Sequence, residues 1–241
     1  MTSFTIGVDV GGTFTDLVLL ESARADLRIA KTPTVPDDLM AGVLRAIELA
    51  AEAAGLSVEA LLARTTKLVH GTTLTTNVLF NRDGPRVGLI TTRGFGDQLH
   101  IMRAKGRVAG LSLAERRHFR RTDKPLPLVD YPLIVEVAER VDWKGQVLVP
   151  LDLDDARRAV AELRRHGAEA FAICLLWSFK NPTHEQRLAG LIRAEFPGAF
   201  VSVSSELSPV LGEYERMVTT VVNSYVGPVM ARYVERLERE I

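Results

Sequence analysis

Thr5-Ile6-Gly7-Val8-Asp9-Val10-Gly11-Gly12-Thr13-Phe14-Thr15-Asp16-Leu17-Val18-Leu19-Leu20 carries two apolar stretches around a pair of glycines. Ile6, Val8 and Val10 alternate with small or polar residues, the pattern of a half-buried strand, and Leu17 to Leu20 makes a second strand. Gly11-Gly12 turns the chain between them. With a third strand over Leu27 to Lys31, the opening reads as an antiparallel meander. The connecting segment Asp9 to Asp16 has legible chemistry. Gly11 and Gly12 let the backbone approach a ligand with no Cβ in the way, and the amides that follow can converge on a phosphate oxygen. Thr13 and Thr15 add hydroxyl donors. Asp9, at the end of the first strand, can hold Mg²⁺ and so offset the charge of a polyphosphate. The segment is neither a Walker loop nor a G-x-G-x-x-G turn. An ordinary Gly-Gly hairpin is the alternative reading.

Outward from this turn the chain becomes α/β. Leu39, Val43, Ile47 and Ala50 share a helical face between an N-cap at Asp37 or Asp38 and Gly55 just past the end. A short helix follows Ser57, over Glu59 to Ala63. Lys67 to His70 and Val87 to Thr91 read as strands, each leading through a glycine turn into a helix-compatible segment. From Arg103 to Pro132 periodicity fails, and Pro125, Pro127 and Pro132 punctuate an irregular excursion. Val135 to Val141 and Gln146 to Val149 resemble a hairpin turned at Trp143-Lys144-Gly145. A helix capped at Asp152 or Asp154, a strand over Ala170 to Leu176, a helix over Thr183 to Phe196 and a strand over Phe200 to Val203 continue the rhythm. A long helix from about Gly212 to Ile241 closes the chain. Its Pro228 removes one hydrogen bond. Tyr233, Leu237 and Ile241 keep an i, i+4 stripe to the end, so that face calls for a partner, either from sequence outside this chain or from this domain itself. The expected layout is a phosphate-loop α/β subdomain at 1–102, the excursion at 103–132, a second α/β part at 133–211 and the long helix at 212–241.

Thirty basic residues balance thirty acidic ones in 241, and 46% of the residues are hydrophobic. These proportions suit a packed globular chain and give no global field toward nucleic acid or an anionic membrane. The one cysteine, Cys174, lies in an apolar run and reads as a buried structural thiol, so no internal disulfide can form. No apolar stretch reaches the roughly 20 residues that span a bilayer, and a cytoplasmic location is expected.

The string Asp9 to Asp16 resembles the first phosphate loop of the actin-like, sugar-kinase and heat-shock-chaperone ATPases, in the variant of the hydantoinase A/5-oxoprolinase family. Two further blocks are similar to that family: His70-Gly71-Thr72-Thr73-Leu74-Thr75-Thr76-Asn77 with Gly88 to Phe95 and Asp97, and Ser205 to Pro209 with Glu213 to Arg216 and Thr219 to Val226. The resemblance implies a ribonuclease-H-like (actin-like ATPase) N-terminal lobe, with a mixed sheet, flanking helices and an additional α/β subdomain. It also implies that the sequence stops before the second lobe, so that this chain alone binds ATP weakly or not at all. The implied cofactors are ATP and Mg²⁺. The implied activity is ATP-dependent hydrolysis of a cyclic amide or imide, in complex with a B-type hydantoinase subunit. A β-like subunit of an acetone- or acetophenone-type carboxylase and a partner-docking module that binds no nucleotide are the competing readings.

On this reading Asp9 and His70 are the candidate catalytic residues, with Asp9 also the metal ligand. Gly11, Gly12, Thr13, Phe14, Thr15 and Asp16 are the candidate nucleotide contacts. His70 can orient substrate or relay a proton near neutral pH, or serve as a hydrogen-bonded histidine at a strand end. Thr72, Thr73 and Asn77 offer polar contacts to a small substrate, or caps to the next helix. Arg103 can pair with a carboxylate or phosphate. Glu213 and Arg216 can reach a ligand, or pair with each other on one helix turn. Arg103 to Lys124 carries eight basic residues against two acidic ones, a solvated segment or a docking face for a partner subunit. No aromatic platform accompanies the charge, which argues against nucleic acid.

Overall fold

The computed structural model describes residues 3–23 and 25–241. The chain divides into two compact units, one of residues 1–83 and 229–241, the other of residues 84–228.

In the first unit the sheet order is β3-β2-β1-β4, with β1 at Phe4–Val10, β2 at Phe14–Glu21, β3 at Asp26–Pro33 and β4 at Thr65–Thr72. The first three strands form the expected antiparallel meander, and β4 runs parallel to β1. A parallel neighbour requires a crossover, which α1 (Leu39–Ala54) and α2 (Val58–Leu62) supply. This is the ribonuclease-H-like mixed sheet that the resemblance implies. Ile6, Val8, Val10, Leu17 and Leu19 point from the sheet into one core with Met40, Val43, Ile47 and Ala50 of α1. Asp38 caps α1 by accepting from the Ala41 amide at 3.1 Å, and Gly55 ends it in the left-handed region at φ 68°. Ser57 caps α2 at 3.2 Å. The strands extend further into the opening segment than periodicity suggests: β1 takes Asp9-Val10 and β2 takes Phe14 to Asp16, leaving Gly11 to Thr13 as the turn. After β4 comes α3 (Leu74–Asn81).

The second unit is built on a parallel sheet of order β10-β9-β5-β6, from β5 (Val87–Thr92), β6 (Ile134–Val137), β9 (Ala170–Cys174) and β10 (Phe200–Val203). Every residue of β5 and β9 is buried, as befits central parallel strands covered on both faces. Cys174, on β9, is 2% exposed, and burial pushes its thiol up to about 12. It is therefore an inert structural thiol. Between β5 and β6 lie only short turns of helix, α4 (Gln98–Ile101) and α5 (Leu113–Arg116) among them. The expected hairpin over Val135 to Val149 is corrected. Its first part, β6, pairs with β5, and only β7 (Arg140–Val141) and β8 (Val147–Val149) pair with each other. The chain leaves this sheet after Val137, and two residues on the buried Glu139 carboxylate is hydrogen-bonded to His184. Around the sheet pack α6 (Leu153–Arg165) and α7 (Thr183–Glu195), followed by the short α8 (Ser204–Leu207) and the long α9 (Glu213–Glu240).

Gly88 of β5 tests the packing. A Cβ there would stand 2.8 Å from Leu163 Cδ1 and 3.1 Å from the Ala168 Cβ. Gly88→Ala should cost about 1–3 kcal/mol, the usual penalty of overpacking, read as a lowered urea midpoint.

α9 runs through Pro228, at which the two units divide. The stripe near its end does not wait for outside sequence: Tyr233 belongs to the first unit's core, with Met230, Val234 and Leu237 packed against it. Asp38 adds an ion pair to Arg236 at 2.7 Å. An amphipathic helix returning to its own sheet buries that face directly. Among the described residues no helix is long and apolar enough to cross a membrane.

Candidate functional site

The parallel strands β1 and β4 end side by side, and such carboxyl ends are where open α/β sheets receive ligands. Register pairs Asp9 with Gly71 and Val10 with Thr72. On the other side Asp9 faces Asp16, which in turn faces Lys31. A row Lys31-Asp16-Asp9-Gly71 therefore crosses the sheet. The Lys31 ammonium meets Asp16 at 2.7 Å and lies 4.6 Å over the Phe14 ring, leaving the exposed Asp9 carboxylate as the row's uncompensated charge. Gly71 is what gives Asp9 room, since a Cβ there would stand 3.3 Å from Asp9 Oδ1.

The Gly11-Gly12 turn is tight for a steric reason. The Gly11 amide donates to the Phe14 carbonyl at 3.0 Å, and a Gly11 Cβ would sit 3.1 Å from that oxygen. Neither glycine occupies the left-handed region; what the turn needs is their lack of bulk. Thr34 ties it from behind, its hydroxyl donating to Gly11 O at 2.9 Å and its amide to Thr13 O at 2.9 Å. The amides of Gly12 and Thr13, both exposed, make no hydrogen bond among the described residues. They form a pair of donors with nothing to bind inside the unit. Thr15 is different: its side chain is fully buried, with its hydroxyl 3.1 Å from that of Thr34. It supports the turn from below, and its hydroxyl does not face a ligand.

A cavity of about 410 Å³ opens beside the turn, lined by Gly11, Gly12, Thr34, Thr72, Leu74 and Asn77, with Asp37 and Asp83 also in its wall. Thr73 precedes α3, and the Asn77 side-chain amide donates to its hydroxyl at 3.3 Å. The Thr72 hydroxyl accepts from the Leu74 amide at 3.1 Å. The structure thus brings the glycine turn and part of the Thr72–Asn77 stretch to one cavity; of the caps open to Thr72, Thr73 and Asn77, only Thr72 bonds an amide at the helix start, while Thr73, at the N-cap, makes no side-chain cap bond.

His70 stands elsewhere. Register sets it opposite Val8, so alternation turns it to the core side of the sheet, away from Asp9's face. There His70 Nε2 and the Tyr233 hydroxyl share a hydrogen bond of 3.0 Å, while Nδ1 is shielded without a partner. Burial holds the imidazole below its ordinary value of 6.5, the nearby Asp9 charge opposing that shift. Burial also pushes the Tyr233 phenol up to about 12. A histidine held neutral favours the folded state above its unfolded pKa, and that contribution is lost as pH falls from about 6.5 toward the lowered native value. An NMR titration of His70 should give a midpoint below 6.5, and a midpoint at or above it would refute the burial argument.

The remaining candidates lie in the second unit. Arg103 pairs with Glu215 at 3.0 Å. Arg216 does not pair with Glu213 but is 1% exposed, donating from Nη1 to Leu175 O at 3.0 Å, to Ser204 Oγ at 3.0 Å and to Ser178 Oγ. The fully buried Glu185 completes this network, accepting from the Leu175 amide, the Ser204 hydroxyl and the Ser205 amide at 2.6–2.9 Å. Beside it, Glu139 Oε2 bonds His184 Nδ1 at 2.7 Å, and its Oε1 accepts from Thr92. The Leu151 amide donates to His184 Nε2 at 3.3 Å, so the proton of a neutral imidazole sits on Nδ1. Sequence reasoning missed Glu139, His184 and Glu185. The available signal was a pair of ionisable residues, His184-Glu185, at the start of a helix that otherwise buries Leu188, Ala189 and Ile192. In the basic segment, Arg107 donates to Thr122 O at 2.7 Å, Arg116 to Leu111 O at 2.9 Å and Lys124 to His100 O at 2.8 Å. Arg107 and Arg116 therefore hold the segment's own backbone, and Lys124 ties its end to His100.

A family model described as the hydantoinase/oxoprolinase N-terminal region matches residues 5–196. The chain is 44% identical over 227 residues to the acetophenone carboxylase gamma subunit of Aromatoleum aromaticum, covering 92% of this chain and 31% of that protein. It is 33% identical over 239 residues to the caprolactamase subunit alpha of Pseudomonas jessenii, covering 98% and 33%. Among solved structures, nucleotide-free acetone carboxylase superposes with a TM-score of 0.86 at 29% identity, over 95% of this chain and 33% of that one. The ATP-dependent caprolactamase of P. jessenii superposes at 0.83 and 33% identity, over 97% and 33%. The chain spans about a third of the length of these relatives.

Proposed function

We propose that this chain, which belongs to the hydantoinase/oxoprolinase N-terminal family, supplies the phosphate-holding wall of an ATP-dependent enzyme subunit that activates a small carbonyl compound. One observation carries the reading: Gly12, whose amide makes no hydrogen bond among the described residues, edges a cavity of about 410 Å³ at the ends of two parallel strands, next in sequence to the equally unbonded Thr13 amide and on the turn that follows the Asp9 strand end. Amides fixed by a hairpin are already oriented when charge builds on a phosphoryl oxygen, so they stabilise it without reorganising. Gly11 and Gly12 keep the approach open.

The wall also carries Asp37 and Asp83, which would repel a bare polyphosphate. A cation must therefore accompany the nucleotide, and Asp9, exposed and given space by Gly71, fits as its protein ligand. Among the described residues no group of three or more potential ligands gathers. Asp9 would thus meet Mg²⁺ as a single carboxylate, with phosphate oxygens and water completing the shell. When bound, Mg²⁺ neutralises charge on the phosphates.

An unstrained amide resists water because resonance lowers its electrophilicity; placing a phosphoryl group on its oxygen removes that protection and creates a leaving group. Our first reading is accordingly hydrolysis of a cyclic amide or imide, supported by the likeness to a caprolactamase subunit and, at 27% identity, to the 5-oxoprolinase of Saccharomyces cerevisiae. The second, activation of a ketone for carboxylation, is favoured by the 44% identity to an acetophenone carboxylase subunit. Both readings involve a separate partner subunit, of B type in the first. The deciding experiment measures ATP turnover by the full polypeptide with its co-purifying partner, offered lactams, hydantoins, 5-oxoproline and ketones in turn. Stimulation by a cyclic amide without bicarbonate supports the first reading, and stimulation by a ketone only with bicarbonate supports the second. Turnover indifferent to every carbonyl compound would overturn both.

A further inference from the structure

Alternation along the strands of the first unit points Ile6, Val8, Leu17 and Leu19 into the core beneath α1, and register lines up what lies on the sheet's other face. One row across that face reads Leu27-Leu20-Thr5-Lys67 and the next Ile29-Val18-Gly7-Val69. The third is the Lys31-Asp16-Asp9-Gly71 row of the candidate site. An antiparallel sheet that keeps one face in water carries polar residues there. Here the first two rows hold Val18, Leu20, Leu27, Ile29 and Val69, all exposed, Ile29 by 70%.

Gly7 shapes this face. It stands between Val18 and Val69, and a Cβ built on it would meet nothing within 4 Å. A glycine inside a strand weakens it and often marks where another backbone comes close. With Thr5 before it and Asp9 after it on the same face, Gly7 floors a trough along β1, between Leu20 and Val18 on one side and Lys67 and Val69 on the other. From Thr5 to Asp9 the trough is about 13 Å long, the length of about nine residues of α-helix. Its ends differ in charge, with Asp9 at one and Lys67 at the other, while Asp16 is paired with Lys31. A helix with its amino end at Asp9 and its carboxyl end at Lys67 matches this polarity, since its main-chain dipole is positive at the first and negative at the second. Four strands about 4.8 Å apart make a face roughly 20 Å wide. Two separate copies meeting across it would bury well under the roughly 1,200 Å² at which independent chains associate stably. An element tethered to the same polypeptide needs no such area, because the tether raises its effective concentration. The relatives carry about two thirds of their length outside the stretch they share with this chain.

We propose that the trough over Gly7 seats an amphipathic helix of the same polypeptide, contributed by sequence outside residues 1–241 and running antiparallel to β1. Its apolar stripe packs on Val18, Ile29 and Val69, and the missing side chain at Gly7 lets helix and strand approach closely. The seat does not depend on the nucleotide reading, because Val18, Ile29 and Val69 take no part in it.

The test is hydroxyl-radical footprinting, read by mass spectrometry at Leu27, Ile29 and Val69 in this chain and in the full polypeptide, both without nucleotide. Oxidation should be at least about fivefold slower in the full polypeptide, where exposed side chains become buried. Gly7→Val places a β-branched side chain in open space in this chain, so the urea midpoint should hold or rise. In the full polypeptide the same side chain fills the trough, and oxidation of Ile29 and Val69 should rise at least about threefold over the unsubstituted protein. Equal oxidation in chain and full polypeptide would overturn the cover. Protection that Gly7→Val leaves intact, or a lowered urea midpoint for Gly7→Val in this chain, would overturn the trough as its seat. Protection that requires a co-purifying partner, or a dimer of this chain in sedimentation that Ile29→Lys dissociates, would overturn the same polypeptide as its source.

Discussion

Asp9→Asn should lower carbonyl-stimulated ATP turnover of the full enzyme by about 100-fold or more, the scale on which one preorganised electrostatic contact acts. The exchange keeps the shape of the side chain and removes its charge. Asp9 is exposed at a strand end, and its neighbours in register, Asp16 and Gly71, do not depend on it for packing. Unfolding free energy should therefore move by no more than about 0.5 kcal/mol. Losing a carboxylate next to Asp16 could even stabilise the sheet slightly, so a drop in turnover would not be a folding defect in disguise. Retained turnover in Asp9→Asn would remove Asp9 from the nucleotide site, and with it the argument for the adjoining amides.

Glu185→Ala should be the most damaging single change to stability, costing about 3–5 kcal/mol in the second unit. Glu185 is fully buried and accepts three hydrogen bonds, and Arg216 stands on the far side of Ser204 with its charge equally buried. Truncation strips the Leu175 and Ser205 amides of their acceptor and leaves the guanidinium uncompensated. Glu185→Gln keeps one acceptor oxygen and should cost less, about 1–3 kcal/mol. Urea unfolding followed by Trp177, which adjoins Ser178 of the network, reads both. A loss below about 1 kcal/mol for Glu185→Ala would show that the pair is replaceable packing.

These two residues mark what was and was not open to reading from the chain. The meander, α1 with its caps at Asp38 and Gly55, and the strand at Phe200–Val203 followed from local rules, because periodicity and capping act within a few residues. The Gly11-Gly12 turn and the Thr72 to Asn77 segment could be recognised as blocks, but that they share one cavity rests on the pairing of β1 with β4, which is nonlocal. The same pairing turns His70 toward Tyr233, a residue 163 positions away in sequence. No local pattern announces that partner. The stretch Val135 to Val141 read as half of a hairpin because its alternation is real; β6 ends at Val137, and beyond it Glu139 turns a buried carboxylate to Thr92 and His184, partners far away in sequence. Thr15 looked like a phosphate donor for the same reason: spacing gives residue type and order, while burial decides which atoms a ligand can touch.

The inert thiol on β9 has a practical consequence. With Cys174 masked by the fold and no other cysteine in the chain, a reporter dye or spin label can be attached at any chosen surface position through one introduced cysteine. A cysteine at Thr13 would watch the hairpin and one at Leu126 the proline-punctuated excursion, and the native protein would need no prior alteration to keep the signal clean.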